Sequence, residues 1–136
     1  MTKYIFVSGG VISGIGKGIS AASIAFLLKS YGQKITMIKC DPYLNVDAGT
    51  MNPLEHGETF VLEDGFETDM DIGSYERFVN ESFSRPNSMT CGAIIDQVIK
   101  DERSLAYEGK WVSLDYHVQL EIIRWLEDVG KKSKAD

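Results

Sequence analysis

The 136-residue sequence is poor in basic residues, poor in cysteine and free of long apolar runs. Fourteen Lys and Arg stand against twenty Asp and Glu, a net charge of −6. Neutralising phosphates along a nucleic acid takes clustered cations, so this balance excludes a general DNA, RNA or anionic-membrane binder. The only basic cluster is Lys131, Lys132 and Lys134, in a terminal stretch (130–136) expected to fray. The longest apolar stretch, around Ile24 to Leu28, is too short to span a bilayer. The opening MTKYIFVSGG runs straight into a strand-like segment and does not read as a signal peptide. The two cysteines, Cys40 and Cys91, lie far apart without metal-type spacing. A reduced, cytoplasmic setting is therefore the expectation. The size, with 43% hydrophobic and 25% charged residues, is that of one folded domain with a real core.

What is present begins with the first forty residues. YIFVS, residues 4–8, is a run of aromatic and β-branched residues bounded by glycines, and reads as a buried parallel strand. GGVISGIGKG, residues 9–18, holds five glycines. ISAASIAFLLKSY, residues 19–31, has no Pro or Gly and reads as a helix ending at Gly32. KITMIK, residues 34–39, reads as a second strand, which makes a right-handed βαβ crossover.

The chemistry sits in the loop. Glycines let consecutive backbone N–H groups curl around oxygens, a following helix turns its N-terminus to an anion, and a lysine reaches outer phosphates. Gly14, Gly16, Lys17 and the helix supply all three. The G-x-x-x-x-G-K-[ST] pattern is nevertheless unmet: Val11 stands where its first glycine belongs, and Gly18 replaces the hydroxyl residue that ligates Mg²⁺. A carboxylate elsewhere must then carry more of the metal.

Residues 40–74 show little periodicity, and only ETFVL, 58–62, suggests a strand. Their apolar content, from Tyr43 and Leu44 to Met70 and Ile72, argues against a solvated linker. Between Lys39 and Arg77 there is no Lys or Arg, yet the interval holds ten acids, half of the chain's total. Crowded carboxylates repel unless a cation or open solvent relieves them. Most of these ten read as a solvated acidic surface. Asp69 and Asp71 in TDMDIG are the better Mg²⁺ ligands, two apart and on one face if extended. His56 reads as a surface residue.

The remainder reads as helical scaffold. YERFVNESF (75–83) is a short helix ended by Pro86 and Asn87. Thr90 is the expected N-cap of CGAIIDQVIKDERS, with Ile94, Ile95, Val98 and Ile99 on one face. Residues 111–114 are read as a strand, and HVQLEIIRWLEDV (117–129) as a helix with an apolar stripe. No base accompanies Cys91, so it is read as inert.

YIFVSGGVISGIGKGISAAS, the block IKCDPYLNVDAGTMNPLEHGETFVLEDGFETDMDIGSYERF and TCGAIIDQVIKDERSLAYEGKWV together closely resemble the start of the CTP synthase family. The resemblance covers nearly the whole chain, weakening toward residue 129. It implies an α/β domain with a P-loop-type parallel sheet flanked by helices, here as the N-terminal part (1–129) of the synthetase domain. It implies a cytoplasmic ligase that aminates UTP to CTP, ATP phosphorylating the uracil oxygen and glutamine-derived ammonia displacing that phosphate. It further implies that Gly14, Ile15, Gly16, Lys17, Gly18 and Ile19 hold ATP, and that Ser13 contacts UTP or the inhibitor CTP. Lys17 and Lys39 would serve the transferred phosphate, and Asp71 would meet both ATP and Mg²⁺. The family's next strand, with a second metal-binding glutamate, and its glutaminase domain have no counterpart in these residues. Residues 116–119 read YHVQ where the family has Pro-His-Ile-Thr. A half-built sheet of this kind is expected to leave an open edge and an uncovered apolar helix face.

Three functions are compatible with these residues. One is the N-terminal part of a CTP synthase, inactive by itself. The second is a non-catalytic nucleotide-binding or regulatory module, a homo-oligomer or docked on a full-length CTP synthase. The third, a dimerising switch ATPase, is weakest, because the extra lysine and the threonine of those loops are missing.

Overall fold

The computed structural model describes residues 2–10 and 14–136. The chain is a mixed α/β structure with a two-stranded parallel sheet, a two-stranded hairpin and packed helices. Helix α1 (Lys17–Ser30) follows the glycine loop, starting two residues earlier than its composition suggests. Gly16 is its N-cap in the left-handed region, at φ 88°, where a side chain would be strained. Strand β1 (Lys39–Asp41) pairs in parallel with β4 (Ser88–Thr90), placing Lys39 opposite Ser88 and Asp41 opposite Thr90. Between them lie a one-turn helix α2 (Pro53–His56), strands β2 (Thr59–Val61) and β3 (Glu67–Asp69), and helix α3 (Met70–Val79). β2 and β3 form the antiparallel hairpin. Helix α4 (Cys91–Arg103) follows β4 directly, with Thr90 as its N-cap accepting from the Ala93 N–H at 3.0 Å. Helix α5 (Leu114–Ser133) packs on α4.

The core lies between α1 and α3. Ala22 and Ala25 let α1 approach closely, and Ile72, Tyr75, Val79, Met37, Leu62 and Phe83 fill the space. The aperiodic middle segment is fastened to the start of α4. Gly92 donates to the Tyr43 carbonyl at 3.2 Å, and Thr90 Oγ1 to the Val46 carbonyl at 3.2 Å. A methyl at Gly92 would collide with the backbone of Leu44 and stand 2.8 Å from the Asn45 carbonyl oxygen. Only glycine permits that approach.

Several expectations are corrected. Residues 4–8 form no strand, and Ile5 and Phe6 are 61% and 74% exposed. A buried strand needs a ladder and cover on both faces, and none of the described strands lies beside this run. The expected strand–loop–helix–strand unit is thus reduced to loop, helix and a second strand. That strand is shifted from 34–39 to Lys39–Asp41, because its ladder is set by Ser88–Thr90, some fifty residues away. The helix expected at 75–83 begins at Met70, where Asp69 caps it. Residues 111–113 are unpaired and Leu114 opens α5. The terminal stretch does not fray: α5 runs to Ser133, and Asp136 accepts from the Lys34 N–H at 2.7 Å. An uncovered apolar helix face, expected without a helix being named, is found on α1 and α5, where Ile24, Phe26, Leu27, Leu120 and Ile123 are exposed.

Candidate functional site

Two helix starts and one strand end meet at a point. The parallel strands β1 and β4 finish at Asp41 and Thr90, and the carboxyl ends of parallel strands are where α/β folds bind ligands. The start of α1 abuts the start of α3: a methyl added at Gly18 would stand 3.5 Å from the Tyr75 hydroxyl and 4.0 Å from the Asp71 carboxyl carbon. The two starts are provisioned differently. In α3, Asp69 accepts from the Asp71 N–H at 2.7 Å and Asp71 adds charge to the first turn. In α1 there is no side-chain cap and no acid in the first turn. Among the described residues its leading N–H groups therefore have no side-chain cap, whereas those of α3 do.

Lys39 occupies the centre. Its ammonium lies 2.6 Å from Asp41 Oδ1, 3.5 Å from Asp71 Oδ2 and 3.7 Å from Asp69 Oδ2. The hairpin delivers Asp69 because buried Thr68 Oγ1 donates to Ser88 Oγ at 3.0 Å, and Ser88 is the ladder partner of Lys39. Burial alone would lower the Lys39 pKa, but the Asp41 hydrogen bond and the charges of Asp41, Asp69 and Asp71 together outweigh it and raise it. Burial raises the Asp41 carboxyl, with Lys39 opposing. Burial also raises the phenols of Tyr43 and Tyr75, and the neighbouring carboxylates add to it.

Lys17 folds back over the glycine loop, donating from Nζ to the Gly10 carbonyl and lying against Gly9. Gly14 and Gly16 both have positive φ. Ile15 and Ile19 face solvent. Ser13 lies outside the described residues. Asp69 and Asp71 do sit near each other, but not as alternate residues of one extended stretch: Asp69 ends β3 and Asp71 is in the first turn of α3. Among the described residues, no three carboxylate, histidine or cysteine side chains are grouped to hold a metal by themselves. No described helix is long and apolar enough to cross a membrane.

A family model described as the CTP synthase N-terminus matches residues 3–136. The chain belongs to that family. A CTP synthase of Nautilia profundicola is 55% identical over 131 residues, covering 96% of this chain and 24% of that protein. A CTP synthase of Schizosaccharomyces pombe is 54% identical over 129 residues, covering 95% of this chain and 22% of its own length. One from Prochlorococcus marinus (strain MIT 9211) is 53% identical over 136 residues, 100% of this chain and 24% of that protein. The chain thus spans about a quarter of the length of the curated CTP synthases it matches.

Against that family background, the structure brings Lys39, Asp71 and the start of α1 together, and adds three residues that sequence reasoning passed over. Asp41 holds the Lys39 ammonium, the Tyr43 hydroxyl donates to Asp41, and the Tyr75 hydroxyl lies with the Asp71 carboxylate beside Gly18. Asp41 carried a readable signal, since residues 39 and 41 of one strand share a face. Tyr75 carried none, because its place depends on how α3 packs against α1.

Proposed function

We propose that this chain forms the phosphate-handling corner of a CTP synthase, an ATP-dependent ligase that aminates UTP to CTP. In this reading the backbone of Gly14, Ile15, Gly16, Lys17, Gly18 and Ile19 cradles the ATP phosphates as a P-loop. Lys17 leaves the Gly10 carbonyl for an outer phosphate oxygen. Ser13 contacts the pyrimidine nucleotide, UTP or CTP. Lys39 faces the phosphoryl group in transit from ATP to the uracil oxygen. Such a transfer is driven by positioning and charge stabilisation, which two lysines and a row of N–H groups offer without covalent help.

Magnesium suits the donors. Asp69 and Asp71 already share a cation, the Lys39 ammonium, and the Asp71 side chain is 56% exposed, with room toward solvent. A site of one or two carboxylates completed by phosphate oxygens is what Mg²⁺ takes. Asp71 would hold it, and the ion supplies neutralisation of phosphate charge.

The convergence of Lys39, Asp71 and the uncapped start of α1 carries this reading. Calorimetric titration of the chain with MgATP tests it. Binding is expected, weakened roughly tenfold or more by Lys17→Ala, the scale of a lost charge-assisted hydrogen bond. No binding at millimolar nucleotide overturns the reading. The 136-residue chain alone, given UTP, MgATP and free ammonia, is expected to make negligible CTP, because the second metal glutamate and the nucleoside pockets implied by the family lie outside these residues.

A further inference from the structure

The Asp41 carboxylate is the least exposed of the three around Lys39, with 11% of its side chain accessible, and both of its oxygens are engaged. Oδ1 accepts from the Lys39 ammonium at 2.6 Å, and Oδ2 accepts from the Tyr43 hydroxyl at 3.3 Å. Asp69 and Asp71 reach the same ammonium only at 3.7 and 3.5 Å, beyond a normal charge-assisted hydrogen bond. Asp69 is also committed to capping α3. One carboxylate therefore holds the lysine while two merely attract it. Because Asp41 is fixed opposite Thr90 in the parallel ladder, its hold sets where the ammonium stands.

We propose that Asp41, oriented by Tyr43, is a positioning residue that keeps the Lys39 ammonium from closing from 3.5 Å to full hydrogen-bond contact with Asp71, so that the lysine serves phosphate while Asp71 stays available to the cation. This rests on the nucleotide reading above. Without Asp41, the ammonium has Asp69 and Asp71 as its remaining partners and competes with magnesium for them.

The prediction has a sign that simple charge counting does not. Asp41→Asn removes a negative charge beside a polyanion, which by Coulomb attraction alone tightens MgATP binding. Positioning requires the opposite. Calorimetry with MgATP on the full 136-residue chain, repeated across Mg²⁺ concentrations, is expected to show Asp41→Asn weakened roughly tenfold and needing more Mg²⁺. Asp41→Glu is expected to recover part of the loss. Tyr43→Phe is expected to move affinity the same way by less, at an unchanged melting temperature. Unchanged or tighter binding by folded Asp41→Asn overturns the proposal. Should that variant fail to fold, unchanged affinity in Tyr43→Phe overturns it. If the wild-type chain binds no MgATP, the nucleotide reading fails and this role falls with it. Wild-type binding with an unaffected Asp41→Asn sinks the positioning role alone.

Discussion

Residues 2–10 and residues 42–52 invert each other. The first segment has a strong apolar strand pattern, yet Ile5 and Phe6 lie open to solvent and its tethers run to the far end of the chain. Lys3 N–H donates to the Asp136 carbonyl at 2.9 Å, and the Thr2 hydroxyl to the Ala135 carbonyl at 3.2 Å. The second has almost no periodic pattern, yet it is stitched to the start of α4 through Gly92 and Thr90, and its Ala48 is buried. Apolar sequence offers burial only if a partner surface exists. Irregular sequence can be well ordered if its backbone groups find specific acceptors and donors.

The sharpest way to break this contrast is Gly92→Ala. The added methyl meets backbone rather than a side chain that can swing away. A loss of about 3 kcal/mol in urea unfolding is expected, the upper end for overpacking. A neutral result would mean that the middle segment is not seated on α4.

Next in size is Lys39→Met, which strands the Asp41 carboxylate. Breaking a buried pair costs about 3–5 kcal/mol, and the residual exposure of both side chains reduces that to about 2–3 at neutral pH. The pH dependence has the same sign in variant and wild type, stability falling as pH rises, but in different windows. In the variant the Asp41 pKa climbs further above its ordinary 3.8, so the deficit shrinks as pH falls through the folded value and is recovered below 3.8. In the wild type, Lys39 titrates above its ordinary 10.5, so its contribution is full below 10.5 and is lost only as pH rises through the folded value. Urea midpoints of both chains at pH 4, 7 and 10 check this: the gap between them is expected to narrow at pH 4, and the Lys39 contribution to hold up to pH 10.

Gly73→Ala sharpens the comparison from the core side. Its methyl would fall 2.8 Å from the Phe60 ring, a side chain able to turn. A smaller loss of about 1 kcal/mol follows. Smallest is Phe6→Ser, expected to change stability by no more than about 0.5 kcal/mol, as at other exposed positions. A large loss there would show that the 4–8 run is covered in solution and would erase the contrast.

Much of the scaffold was legible because its signals are local. Thr90 before CGAI marked the start of α4, and the Ala- and Leu-rich run marked α1. The Ile94 and Val98 spacing marked a buried helix face. The run 4–8 misled because aromatic and β-branched content describes what a residue prefers, while a strand needs a neighbour. Asp71, singled out by spacing and the family resemblance, lies beside Lys39, while Asp41 was passed over although its place two residues from Lys39 was visible. Tyr75 could not be found, since it reaches Gly18 only after α3 has packed on α1.

The sequence by itself determined the family, the glycine loop with its lysine, the start of α4 and the bodies of α1 and α5. Each is written in contiguous residues whose backbone preferences or characteristic order need no distant partner. Only the tertiary structure decided that Asp69 and Asp71 come to the Lys39–Asp41 pair, and that one helix start without a side-chain cap lies beside another that has one. Those relations join residues many positions apart, through a parallel ladder, a Thr68–Ser88 hydrogen bond and the close approach of two helices. Contacts between segments distant in the chain are created by packing, and no local preference encodes them.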